Sequence, residues 1–353
     1  MTTKKIFNRR KYMNRKYIFL SFLVFSLTFS HSAYSKTIQI VTTTPDLKSI
    51  AEYIGGDKVR ISSIATGYQD PHFVEAKPSY MIKVRNADLF IRVGLELEIG
   101  WEPLIIEGSR NKKIRTGEPG HLDASEGVMR LQVPKGKVDR SMGDIHPYGN
   151  PHYWTDPLNG KIMARNIKNR LSALSPSDAS YFENNLALFD RKIDESLVGK
   201  KLTDKLGDQK LTGLLISGKF YEFLKENNLE SELGGWLLEM KPFQGAKIVT
   251  YHNSWPYFAS RFGLLITDQL EPKPGIPPNP THIREVIDQM TVQKIKVILM
   301  EPFYGEKPAK FVAEKTGAKV VMVPNSVGGS AQAKDYISLI DTILKNIVAA
   351  LKN

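Results

Sequence analysis

Three histidines in this 353-residue chain stand where a folded protein could bring them to one ion. His72 lies in "GYQDPHFVEAKPSYM" (67–81), beside Asp70 and Pro71 in a loop ahead of an expected helix at Pro78. His152 sits between two prolines in "GNPHYWTDP" (149–157), just before an expected helix over 158–172. His252 is the last residue of "AKIVTYH" (246–252). Glu301 ends the apolar run of "IKVILMEP" (295–302), and Asn325 directly follows "AKVVMVP" (318–324). One such histidine alone reads as structural or superficial. Three at equivalent positions, with a hard carboxylate nearby, are the ligand mixture suited to Zn²⁺, Mn²⁺ or Fe²⁺.

The elements around these residues explain why the positions are equivalent. From residue 37 the pattern alternates β-rich runs (37–44, 58–64, 88–94) with helical ones (45–56, 78–87). The same rhythm returns with strands over 246–252, 264–270, 295–302 and 318–324, a helix over 280–293 and a last amphipathic helix over about 332–351. Strands separated by helices predict two α/β lobes, each a parallel sheet flanked by helices. Ligands of such sheets bind beyond the carboxyl ends of the strands, where His252, Glu301 and Asn325 fall. Between the repeats, residues 176–206 carry apolar side chains near helical spacing and predict one long, rigid helix joining the lobes. The expected division is 36–175 for the first lobe, 176–208 for the link and 209–353 for the second, with 209–235 an insertion.

The N-terminus is expected to be removed. Seven basic residues and no acids precede or flank "YIFLSFLVFSLTF" (17–29), and small residues at 33 and 35 suit cleavage after Ser35. Met13 is an alternative start to Met1. The apolar run is shorter than the roughly 20 residues a spanning helix needs. Without those seven basic residues the formal charge of +12 becomes +5. Basic residues are dispersed among acids, so the footprint of a nucleic-acid binder is missing. Cysteine is absent, which excludes disulfides and thiolate sites. The expectation is a monomer free in the periplasm, not a lipoprotein.

The words also match a family. The stretch 42–101, "TTTPDLKSIAEYIGGDKVRISSIATGYQDPHF…VGLELEIGW", resembles the N-terminal lobe of the zinc/manganese/iron cluster of periplasmic solute-binding proteins of ABC importers. "GNPHYWTDP" and "VTYHNSWPYFASRFGL" are similar to that family's second and third histidine motifs, in the family's order. The resemblance spans nearly all of the chain after the leader, except 209–235 and a basic loop over 108–145. It implies two α/β lobes joined by one long helix, with the metal between them and a membrane permease as partner. It further implies His72, His152 and His252 as ligands. The family's usual Asp after the last strand is Asn325 here, so Glu301 is expected as the fourth ligand, with Asn325 or His146 as alternatives. Zinc-selective members often carry a loop rich in histidine and acids, whereas the 108–145 loop offers only His121, expected to be solvated like His146. Three imidazoles still place Zn²⁺ ahead of Mn²⁺ and Fe²⁺.

Two other functions fit parts of this pattern. A periplasmic zinc hydrolase would use three histidines and an open position, but no HExxH occurs. A metal-binding surface adhesin would need an anchor. The expectation is therefore a binding protein without catalytic residues.

Overall fold

Proline opens the helices that set this fold. Pro45, Pro78, Pro157, Pro256 and Pro280 each occupy the first turn of a helix, where a missing N–H costs nothing and φ is already near its helical value. The computed structural model describes residues 36–136, 138 and 143–352. The leader expected over 1–35, and part of the basic loop over 108–145, lie outside the described residues.

The first lobe runs β1 (Ile38–Thr42), α1 (Pro45–Gly55), β2 (Val59–Ser63), α2 (Pro78–Arg85), β3 (Leu89–Arg92), α3 (Glu102–Ser109) and β4 (His121–Asp123). A helical middle follows: α4 (Pro157–Leu174), α5 (Ala179–Val198), α6 (Lys200–Leu206), α7 (Asp208–Ile216), α8 (Phe220–Glu226) and α9 (Gly235–Met240). The second lobe runs β5 (Lys247–Thr250), α10 (Pro256–Phe262), β6 (Leu265–Gln269), α11 (Pro280–Gln293), β7 (Val297–Met300), α12 (Lys307–Thr316), β8 (Lys319–Met322) and α13 (Tyr336–Leu351). The helix expected over 280–293 agrees at both ends.

Both sheets are wholly parallel and share one strand order, β2-β1-β3-β4 and β6-β5-β7-β8. The two lobes are thus built on one plan. In each, the central strands are covered by helices and read as apolar runs, as in β7, where all four residues are buried. Sequence reading missed β4. Its three residues are too few for a periodic signal, and they lie inside the basic loop.

Helix α5 ties the lobes together. Phe182, Phe189, Ile193 and Leu197 along it are fully buried in one apolar cluster that also holds residues of β1, α1, α9 and α13. The Phe189 ring meets Tyr53 of α1 at 5.2 Å and Tyr336 of α13 at 6.2 Å. At 20 residues, α5 spans about 30 Å. It is shorter than the helix expected over 176–206, because the chain turns at Gly199 with φ +82° before α6 begins. Apolar spacing continues across the break through the buried Leu197 and Leu202, so periodicity alone could not reveal it. Residues 209–235 also join this cluster, burying Leu211, Leu215, Phe220 and Leu224. Among the described residues, no helix is long and apolar enough to cross a membrane.

Candidate metal centre

The loop after β2 carries His72 in a backbone trap made by its own neighbours. One oxygen of Asp70, Oδ1, accepts both the His72 backbone N–H at 3.0 Å and the imidazole Nδ1 at 2.8 Å. An Asx side chain bonding two residues onward favours a tight turn, and Pro71 stiffens it. The Trp101 indole N–H donates to the Pro71 carbonyl at 2.9 Å and pins the loop from beneath.

The second histidine repeats the device. Asn150 Oδ1 accepts the His152 backbone N–H at 2.9 Å and lies 3.0 Å from its Nδ1. "DPH" and "NPH" are therefore the same turn written twice, a signal present in the sequence. His252 differs, because it leaves β5 directly. Its Nδ1 meets Glu271 Oε2 at 2.6 Å, and Glu271 follows the neighbouring strand β6. Sequence reasoning missed Glu271 in this role.

Each imidazole thus has an oxygen acceptor at Nδ1. Nδ1 carries the proton, and the Nε2 lone pair is left for something else. The ring centroids of His72, His152 and His252 lie 5.1, 5.3 and 5.5 Å apart. Donor atoms of the three all fall within 4.8 Å of one another, the one such cluster among the described residues. His72 Nε2 is buried without a hydrogen-bond partner. A cation on the three Nε2 atoms would satisfy it.

Glu301 and Asn325 follow the adjacent strands β7 and β8, as their places in the sequence imply. Both are buried; Oδ1 of Asn325 has no hydrogen-bond partner, and the carboxylate of Glu301 has none of good geometry, only the Ser254 hydroxyl close enough to favour its charged form. Buried polar atoms are rarely left this way without a ligand or water to meet them. Glu301 nonetheless stands outside the three-histidine cluster. His146, expected to be solvated, is half-buried with its ring 5.3 Å from that of His72 and its Nε2 unpaired. His121, also expected in solvent, opens β4 and pairs with Glu102 at 2.9 Å. His282, in the first turn of α11, is half-buried, and its Nε2 meets the Gln269 carbonyl at 2.8 Å.

The cluster faces a cleft of about 320 Å³ whose walls include His146, His152 and His252. A second space of about 350 Å³, lined by His72, His146 and Trp101, adjoins it. Burial sets the electrostatics here. It holds His152 well below the ordinary imidazole range and lowers His146 to about 3, because a second positive charge among these close-set rings would be repelled as well as desolvated. Burial would raise Asp70, but its hydrogen bonds from the ring and backbone of His72 outweigh it and leave the carboxyl below its usual value. Glu301 is pushed up to about 8 by burial, which outweighs the Ser254 hydroxyl beside it, with Asp70 and Glu271 adding repulsion.

These shifts give a pH dependence for the metal-free protein. Burial also raises Glu98 and Asp190 to about 7. A carboxyl raised on folding holds more protons in the folded state, so its stabilisation is lost as pH climbs through the raised value. The depressed histidines act oppositely, but only below their ordinary value of about 6.5. Between pH 6.5 and 8 the carboxyls act alone. Calorimetry in the presence of a chelator should show the melting temperature falling across that window. A flat or rising profile would contradict the burial of these groups.

Comparison with known proteins bears on this geometry. The sequence profile of the family described as "zinc-uptake complex component A, periplasmic" matches residues 40–225 and 235–350. The chain belongs to that family. Only 226–234 fall between the matched segments, far less than the insertion expected over 209–235. A manganese ABC transporter substrate-binding lipoprotein, PsaA of Streptococcus mitis, is 25% identical over 292 residues, covering 82% of this chain and 80% of the relative. A crystal structure of ZnuA shares the fold with a TM-score of 0.66 and 23% identity, covering 89% of this chain and 99% of the other. A Mn-bound periplasmic metal-binding protein from Candidatus Liberibacter asiaticus gives 0.63 and 23%, with the same coverages. The streptococcal relative is named a lipoprotein, and this overturns the expectation that the chain is not one.

Proposed function

We propose that this chain is the metal-capturing component of an ABC importer. It holds one divalent ion, Zn²⁺ ahead of Mn²⁺ and Fe²⁺, between its lobes and delivers it to a membrane permease. One observation carries this reading. Three histidines from two lobes, each with Nδ1 committed to an oxygen, have donor atoms within 4.8 Å of one another. Family membership supports a metal as the cargo, and its relatives are named for zinc and manganese alike. Three neutral imidazoles favour Zn²⁺ by ligand type. In this reading Glu301 is the fourth ligand, supplying the negative charge that Asn325 lacks. The relatives are substrate-binding components of transporters rather than enzymes, and no residue is assigned a catalytic role.

Thermal melting tests the proposal. An ion that binds only the folded chain stabilises it by about 4.1 kcal/mol at 1,000 times Kd. Zn²⁺ should raise the melting temperature clearly at pH 7, and the rise should shrink toward pH 5 as protons compete for the imidazoles. A melting temperature indifferent to Zn²⁺, Mn²⁺ and Fe²⁺ would defeat it.

A further inference from the structure

We propose that Tyr304 is a positioning residue for metal retention, acting from the second lobe on the carboxylate that orients His72 in the first. The inference rests on the three-histidine site proposed above. Asp70 divides its two oxygens between the lobes. Oδ1 holds His72 by backbone and ring, as described, while Oδ2 accepts the Tyr304 phenol at 3.3 Å. Tyr304 lies three residues beyond Glu301, in the turn where its backbone N–H reaches back to the Glu301 carbonyl at 3.4 Å. Its ring stacks on Tyr251, the neighbour of His252, with centroids 4.4 Å apart and planes 9° from parallel. It also lies 5.9 Å from the His252 ring.

One side chain therefore touches the supports of ligands in both lobes. Stacking on Tyr251 fixes where the phenol points, so its hydrogen bond to Asp70 forms only when the lobes stand as they do here. Separation of the lobes breaks that bond and frees Asp70 to turn, which loosens the aim of His72 Nε2. Conversely, an ion held by His72 and His252 keeps the two ends of the link in register. Lobe contact and ion retention are then one event, and the phenol belongs to the release step more than to capture.

Tyr304→Phe removes the hydroxyl and keeps the stacking ring. Zn²⁺ release into excess chromogenic chelator, followed by stopped flow, should quicken by about threefold to tenfold, the span of one ordinary hydrogen bond, since this one is long at 3.3 Å. The association rate should stay within twofold. In an Asp70→Ala background, adding Tyr304→Phe should change the release rate no further, because the phenol acts through that carboxylate. Full additivity of the two substitutions, or an unchanged release rate in Tyr304→Phe alone, would overturn the proposal. His72→Ala separates this from the site itself. If it leaves Zn²⁺ binding intact, the three-histidine reading fails. If it abolishes binding while Tyr304→Phe is silent, only the link between lobes fails.

Discussion

Replacing any one of His72, His152 and His252 by alanine is expected to weaken Zn²⁺ binding by more than about a hundredfold. Loss of an outer partner of a metal-bound histidine already costs roughly 10- to 100-fold, and a ligand itself counts for more. The three are expected to be equally severe, because each brings one ring nitrogen to the same small volume. Asp70→Ala, Asn150→Ala and Glu271→Ala should fall in the lower range, since each removes the acceptor that fixes a tautomer. His282→Ala is the control. Its ring is engaged with the Gln269 carbonyl and lies outside the cluster. Calorimetric titration gives the comparison, and equal losses in all four histidine variants would contradict the site.

The second large effect concerns the fourth ligand. Glu301→Gln should cost much more affinity than Asn325→Ala, by about tenfold or more if the carboxylate meets the ion directly. A carboxylate brings charge to a dication, whereas the amide of Asn325 brings only a carbonyl dipole. Both side chains are buried at the ends of adjacent strands, so the two substitutions compare neighbouring positions of the second lobe. Asn325→Asp should tighten binding, since it restores the acid usual at that place in the family. Unchanged Zn²⁺ affinity in Glu301→Gln would return Glu301 to a structural role and leave the position to water, Asn325 or His146.

Much of this was legible because strand ends are legible. Apolar runs bounded by Gly and Pro locate seven of the eight strands among the described residues, and parallel α/β architecture puts His252, Glu301 and Asn325 beyond their carboxyl ends. His72 and His152 stand out by type and by the prolines beside them, and the fold brings both together with His252. What escaped depends on contacts across the sequence. Glu271 lies nineteen residues beyond His252 and meets it only because β5 and β6 pair in parallel. His121 looked solvated because its strand is three residues long, yet pairing with β3 buries it. The break after α5 rests on one glycine's positive φ, which leaves no trace in hydrophobic spacing. Tyr304 carried no signal at all, since its partner Asp70 is 234 residues away in the other lobe.

The most direct measurement is the metal content of the protein purified without added metal, by elemental analysis, beside a variant carrying His72→Ala and His152→Ala. The wild-type chain should hold close to one divalent ion, mainly zinc, and the double variant should hold almost none while keeping its fold by circular dichroism. Equal metal content in the two proteins, or a folded wild type that carries no divalent metal and takes none up, would contradict a three-histidine capture site.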